Sequence, residues 1–323
     1  MTRFATIGSN FVTDSFLEAA QGVEGFQLEG VYSRTRARAE EFAAKWGAPR
    51  TYTSLDALCA DPAIEAVYVA SPNACHEAQA IALLKAGKHV LCEKPIAPDS
   101  AALARMARAA RETGRVLMEA MMPAHTPAYR AIRAAMAQIA PVRRATLRFC
   151  KYSSRYDKFK AGIVESAFDP SLANGALMDI GVYCLHAAQL LLGEPQTVAG
   201  KSVFLPGGID GAGSLVLGYD GALAEIVYSK ITDSVSPSEI EGEGGSILID
   251  AVSRPRRAEL VLRGGARREI PLGVEADEMR YEIEDFLALL RGADGARYLA
   301  DSEAVTRTLD RARAGMGVEF RRR

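Results

Sequence analysis

The chain of 323 residues predicts an α/β protein: a doubly wound parallel sheet first, then an α+β domain with a large, mostly antiparallel sheet. Three observations predict it. Up to Glu119, short apolar strand segments alternate with helical patterns, which implies a parallel sheet covered on both faces. From Gln196 to Ile270 strands follow strands across glycine-rich turns, which implies an antiparallel or mixed sheet. The length suffices for two domains of ordinary size, and the change of character places the division at 1–120 and 121–323.

The elements follow in order. Phe4 to Ile7 is a short apolar strand, and Thr13 to Gln21 a helix with Phe16, Leu17 and Ala20 at core spacing. Phe26 to Tyr32 is the second strand. Arg36 to Trp46 is a helix that puts Ala39, Phe42, Ala43 and Trp46 on one face. Ser54 caps a short helix through Cys59. Ala66 to Ala70 is a strand, Cys75 to Ala86 a helix that stops at Gly87, and His89 to Cys92 a buried strand. Ser100 to Thr113 and Val116 to Glu119 complete the alternation. Met121 to Pro127, with two prolines, reads as irregular. Pro127 to Ile139 is helical and Val142 to Phe149 a strand. Further strands are expected at Leu215 to Tyr219, Ala222 to Tyr228, Ser238 to Glu241 and Ser246 to Asp250. A helix then carries Met279, Ile283, Phe286, Leu287 and Leu290 on one face, and the last helix runs from about Ser302 to Ala314.

Composition narrows the class. A hydrophobic fraction of 49% with 24% charged residues describes a soluble globular protein, and a net charge of −1 gives no general attraction to nucleic acid or to an anionic membrane. No apolar run is long enough to cross a bilayer. The five cysteines are odd in number and scattered, which argues for reduced thiols in a cytoplasmic protein and against a disulfide framework or a zinc site. The first strand begins at Phe4 and leaves no room for a signal peptide. No metal is expected.

Candidate functional residues gather at strand ends, where ligands of open α/β sheets collect. The first turn, Gly8-Ser9-Asn10-Phe11-Val12-Thr13, enters a helix whose N-terminus can hold a pyrophosphate. Against Gly-x-Gly-x-x-Gly it keeps only Gly8, with Asn10 at the second glycine; Asn tolerates left-handed backbone angles and can make the turn. At the second strand end Ser33 and Arg34 stand where an acid would bind a ribose 2′-hydroxyl. A hydroxyl and a guanidinium can hold a 2′-phosphate, so NADP is expected ahead of NAD, which stays possible; the other reading makes Arg34, Arg36 and Arg38 a solvated helix start. Ser71-Pro72-Asn73 leads into the next helix, with Asn73 as a good N-cap. Glu93-Lys94-Pro95 follows the strand His89 to Cys92. Pro95 restricts Lys94 toward an extended backbone, so Lys94 either points into a cleft or pairs with Glu93 in solvent.

Val69-Ala70-Ser71-Pro72-Asn73-Ala74-Cys75-His76 followed by Ala86-Gly87-Lys88-His89-Val90-Leu91-Cys92-Glu93-Lys94-Pro95 resembles the signature of the glucose–fructose oxidoreductase, inositol dehydrogenase and rhizopine catabolism (Gfo/Idh/MocA) family. Asn174-Gly175-Ala176-Leu177-Met178-Asp179-Ile180-Gly181-Val182-Tyr183-Cys184-Leu185-His186 resembles its glycine-rich entry to a long helix. The resemblance implies a Rossmann domain, with Lys94 beside the nicotinamide and the reacting carbinol. It places the turn Ser71 to Asn73 along the cofactor, with Glu93 and His76 in the same motif, His76 as a wall or packing residue. It gives Tyr183 the proton exchange and Asp179 an assisting part. Asp179 and Tyr183 are four apart and share a helical face, so a Tyr–Asp hydrogen bond that merely fixes the helix is the competing reading. His186 and His125 are weaker substrate-contact candidates. The family usually has an aromatic residue and an arginine where this chain has Pro123, Ala124 and His125.

The implied function is an NAD(P)-dependent dehydrogenase for a sugar, cyclic polyol or related carbonyl or diol. A phenol ordinarily titrates near 10, so Tyr183 needs the Lys94 ammonium to work near neutral pH. The alternatives are a glycoside hydrolase that oxidises transiently with its cofactor retained, or a non-catalytic NADP-binding sensor. Pairing through the C-terminal sheet, as relatives do, would give a homodimer or homotetramer.

Overall fold

A computed structural model describes residues 1–320. In chain order the first elements are β1 (Thr2–Ile7), α1 (Phe11–Ala20), β2 (Phe26–Tyr32), α2 (Arg36–Trp46), β3 (Arg50–Tyr52), α3 (Leu55–Ala60), β4 (Ala66–Val69), α4 (Asn73–Lys85), β5 (His89–Glu93), α5 (Ser100–Thr113), β6 (Leu117–Ala120) and the single turn α6 (Met122–His125). Next come α7 (Ala128–Ala135), β7 (Val142–Cys150), α8 (Tyr156–Lys160), a π-helical turn at Leu177–Gly181 and α9 (Val182–Leu192). The chain then runs through β8 (Thr197–Phe204), β9 (Asp210–Tyr219), β10 (Ala222–Ser229), β11 (Ser238–Gly242), β12 (Gly245–Ile249), β13 (Ala258–Leu262) and β14 (Arg267–Ile270). It closes with α10 (Met279–Leu290) and α11 (Ala296–Met316).

Two compact units result, Met1–His125 with Ala276–Glu303, and Thr126–Glu275 with the chain from Ala304 onward. These units differ from the expected continuous division at 120/121 in that the first runs through α6 and also includes α10. The apolar stripe of α10 marks it as a covering helix but cannot say which sheet it covers. Phe286 packs against Phe4 at 5.9 Å between ring centroids. Ile283, Phe286 and Leu287 join Phe4, Phe16, Tyr68 and Met118 in one buried cluster.

The first unit holds six parallel strands in the order β3-β2-β1-β4-β5-β6. Alternation along β1 sends Phe4 to the cluster shared with α10 and Ala5 to the opposite one, with Leu83, Leu103 and Met106. All of β4 is buried, as expected of a parallel strand covered on both faces. Each fully buried large apolar side chain stabilises the unit by about 1.5–3 kcal/mol. The strand order reverses direction at β1 and β4, whose ends align as Ile7 and Val69. That reversal opens a crevice at their carboxyl ends.

In the second unit eight strands lie in the order β14-β13-β12-β11-β7-β10-β9-β8, with only β7 and β10 parallel. The inward face carries Ala145, Leu147, Leu215, Leu217, Ala224 and Ile226, and α9 packs over β7 and β10. Val216 and Leu223 are exposed on the other face.

Candidate active site

In the first unit the sequence-predicted residues line the carboxyl edge of the sheet. Gly8 follows β1 with φ +113°, and a Cβ there would stand 2.5 Å from Ala70 O, so this closest approach of β1 to β4 admits only glycine. Asn10 does not take the expected left-handed backbone; its φ is −108° and ψ 177°. It works as the N-cap of α1 instead. Its Oδ1 accepts the Val12 and Thr13 N–H groups at 2.9 and 3.1 Å, and its Nδ2 donates to Ala70 O at 3.0 Å. The polar residue at the second-glycine position therefore ties the turn to β4. Phe11 is 65% exposed at the first position of α1.

Ser33 and Arg34 follow β2, with the Ser33 N–H donating to Tyr52 O at 3.0 Å. Arg38, which the competing reading placed in a solvated helix start, reaches across to the first turn. Its Nε donates to Ser9 Oγ at 3.1 Å and its Nη2 to Ser9 O at 2.7 Å. Ser71 donates to Gln79 Oε1 at 2.6 Å. Pro72 takes the N-cap position of α4 and Asn73, expected as the cap, is its first helical residue.

His76 is fully buried beneath this edge, its ring nitrogens 3.0 Å from Pro95 O and 2.9 Å from Ser71 O. Burial holds its pKa below the ordinary value. A neutral imidazole has one N–H, so it donates to one of the two carbonyls at a time. His76 joins the Ser71 turn to the Glu-Lys-Pro segment.

At the end of β5, Glu93 accepts the Tyr68 hydroxyl on Oε1 at 2.5 Å and the Lys94 N–H on Oε2 at 3.2 Å. Burial raises the Glu93 pKa, and the Lys94 charge opposes that rise. Glu93 is tied into the sheet edge by Tyr68 and the Lys94 backbone, and the Lys94 charge acts on it as well. Lys94 itself is half-buried, and its peptide bond to Pro95 is cis. On α10 a second carboxyl, Glu282, is fully buried with neither oxygen hydrogen-bonded among the described residues. Burial, and then the neighbouring Glu93, push its pKa well above the carboxylate range. Sequence reasoning passed over it, although Glu282 sits beside Ile283 on the apolar face of α10, three residues after Met279.

His125, a weaker substrate-contact candidate, is tied into the first unit. Its Nδ1 meets Asp285 Oδ2 at 2.8 Å, its Nε2 lies 3.3 Å from Glu119 O, and the Tyr298 ring covers it at 4.8 Å. Both of its nitrogens are engaged within the first unit.

The second unit carries Asp179, Tyr183 and His186. Asp179 lies in the π-helical turn Leu177–Gly181 and Tyr183 in the following α9. The wider π turn breaks the simple i, i+4 relation expected of the pair, and such turns are frequent at functional sites. Asp179 Oδ2 meets Lys230 Nζ at 2.8 Å. The Tyr183 ring packs edge-on against Phe149 at 5.5 Å. His186 is buried further along α9.

Two residues that organise this turn were not anticipated. Lys230 follows β10, and strand alternation through Ala224, Ile226 and Tyr228 would have shown that it points inward. Asp210 opens β9 and accepts the Leu177 N–H on Oδ2 at 2.7 Å, satisfying an amide at the start of the turn. Gly175, at φ +151°, is required beside it, since a Cβ there would collide with Asp210 Oδ1.

Asp210 gives a test of stability against pH. Burial pushes its carboxyl up from 3.8 to about 6, against the pull of the Leu177 amide and the Lys230 charge. A raised folded pKa means the stabilising contribution is complete below the unfolded value and is lost as pH rises through about 6. Asp210→Asn keeps an acceptor for Leu177 and cannot ionise. Relative to the parent it should gain about 2–3 kcal/mol between pH 4 and pH 8. Urea unfolding at both pH values measures this; a parent–variant difference that does not move with pH would show that Asp210 is not the titrating group.

A six-stranded parallel sheet with a glycine-pinned, capped turn at its switch point and a lysine-bearing strand end has the architecture of a dinucleotide-binding Rossmann domain. Residues 2–121 match the oxidoreductase family with NAD-binding Rossmann fold, and residues 131–248 match the GFO/IDH/MocA C-terminal domain. The chain belongs to the Gfo/Idh/MocA oxidoreductase family. It is 46% identical to scyllo-inositol 2-dehydrogenase (NADP(+)) IolU of Bacillus subtilis (strain 168), over 90% of this chain and 89% of that one. It is 30% identical to trans-1,2-dihydrobenzene-1,2-diol dehydrogenase of Mus musculus, over 98% of both chains. The 3-ketoreductase KijD10 of Actinomadura kijaniata, solved with TDP-benzene and NADP, shares the fold with a TM-score of 0.86 at 23% identity, covering 98% of each chain. No helix among the described residues is long and apolar enough to cross a membrane.

Proposed function

We propose that this chain is an NADP-preferring dehydrogenase for a secondary alcohol of a cyclic polyol or diol. Lys94 and Tyr183 act on the substrate oxygen and Asp179 assists. The observation that carries the reading is the strand end Tyr68–Glu93–Lys94, where the Tyr68 hydroxyl and the Lys94 N–H fix Glu93 and so hold Lys94 at the carboxyl end of β5. The names of the two relatives, an inositol dehydrogenase and a cyclic diol dehydrogenase, support the substrate class.

The residues fit a dinucleotide. Gly8, Ser9, Asn10 and Phe11 would receive its pyrophosphate at the N-terminus of α1, Ser33 and Arg34 its adenosine ribose, and the Ser71–His76 segment with Glu93 its nicotinamide side. Once bound, it would supply the hydride chemistry. The chain supplies the rest. The Lys94 ammonium polarises the carbinol oxygen and favours its deprotonated form. The Tyr183 hydroxyl takes the proton and passes it on. Asp179 orients these groups.

The test is a reduced-cofactor absorbance assay with scyllo-inositol and trans-dihydrobenzenediol, each with NADP and NAD. NADP reduction with at least one of them is expected, and no reduction across a panel of cyclic polyols and diols would overturn the reading. The cofactor preference is tested by Ser33→Asp. A carboxylate repels a 2′-phosphate and accepts from a ribose diol, so NADP binding should weaken at least about tenfold and NAD should overtake it. A parent already preferring NAD in fluorescence titration would sink this part.

We also propose association through the outer face of the eight-stranded sheet. That face exposes Val203, Val216 and Leu223 beside the Arg144–Glu225 ion pair. The five unpaired cysteines suit the reducing cytoplasm.

A further inference from the structure

We propose that Lys230 is a positioning residue for the reaction, holding the Asp179 carboxylate in its working orientation and locking it to the segment Ala167–Phe168. The inference rests on the proposed role of Asp179.

The geometry is specific. Lys230 is 1% exposed. Its Nζ meets Asp179 Oδ2 at 2.8 Å, donates to Ala167 O at 2.6 Å, and lies 4.6 Å from the centre of the Phe168 ring. An ammonium taken out of water needs partners for its charge and its protons. Here a carboxylate, a carbonyl and a ring face supply them. Asp179 is a third exposed, so one partner of the pair is sealed in the interior and the other reaches the surface of the unit. That is an arrangement for aiming a carboxylate rather than for stability, since a buried ion pair is weak support for a fold.

The three contacts come from three stretches of chain: the end of β10, the π-helical turn, and the turn Ser166–Phe168 within the long connection from β7. Phe168 stacks with Phe159 and Tyr156, at 5.1 and 5.8 Å, so Ala167–Phe168 is anchored in an aromatic cluster. Lys230 thus transmits the position of that cluster to Asp179. The Lys230 charge also acts on the Asp210 carboxyl. It bonds to the backbone of the same turn.

Lys230→Met keeps the stem and removes the charge. Together with Asp179→Asn and the double variant it forms a cycle, read in kcat and, without cofactor, in urea unfolding midpoints. We expect kcat to fall about tenfold or more in Lys230→Met, the acidic limb of its pH–rate profile to move up by about one unit or more, and the double variant to be no slower than Asp179→Asn alone. The unfolding midpoints should be non-additive in the same sense. If Asp179→Asn leaves kcat unchanged, the role given to Asp179 falls. If Asp179→Asn is slow while Lys230→Met matches the parent in kcat and pH profile, or if the two effects multiply, the positioning role falls. Should Lys230→Met not fold, Lys230→Arg decides the matter: it keeps the charge but cannot place a compact ammonium, so kcat should drop with the acidic limb unmoved. Parental kcat in Lys230→Arg would overturn the inference.

Discussion

Lys94→Ala is expected to lower kcat by about a hundredfold or more, with cofactor affinity within a few-fold of the parent. The side chain leaves the end of β5, where Glu93 is already held by Tyr68 and by the backbone, so the strand end should persist without the ammonium. What is lost is the positive charge that stabilises a developing alkoxide, an interaction made mainly in the transition state; such losses lower kcat and kcat/KM together. Glu93 also loses the charge that opposes its rise in pKa and should hold its proton more tightly. Steady-state kinetics with a fluorescence titration of the cofactor measures both parts. Turnover within a few-fold of the parent would remove Lys94 from the mechanism.

Tyr183→Phe should lower kcat by about two to four orders of magnitude and remove one limb of the pH–rate profile. The ring and its edge-on packing against Phe149 are kept, so unfolding should change little. If the proton instead runs through His186, three residues along the same helix, His186→Ala should abolish turnover while Tyr183→Phe barely alters it. That pattern would make Tyr183 the packing residue of the competing reading.

Much of the first unit was legible because its chemistry is local. Alternating strands and helices, Gly8 after β1, and the Glu-Lys-Pro end of β5 are each written in a few consecutive residues. Asn10 was legible in type but not in use: the sequence suggested a left-handed turn residue, whereas its side chain caps α1 and bonds the distant Ala70 carbonyl. Contacts between distant stretches were not legible. Lys230 and Asp179 stand 51 residues apart, and His125 and Asp285 meet across 160. No periodicity pairs them. The π-helical turn was hidden as well, since its sequence reads as ordinary helix until the Asp210 side chain is seen at its first amides. Glu282 and Lys230 did leave a trace, each as a charged residue in register with a buried face, and that mismatch is the signal to look for.

The return of α10 to the first unit bears on synthesis of the chain. A ribosome working at roughly 5–20 residues per second delivers α10 roughly 8–30 s after α6. Throughout that interval one face of the nascent six-stranded sheet, with Phe4, Phe16 and Tyr68, waits without the helix that supplies Ile283, Phe286 and Leu287. The N-terminal sheet is translated first, yet its core is completed almost last. In the interval its open apolar face is a surface for chaperones, and for neighbouring nascent chains on the same message.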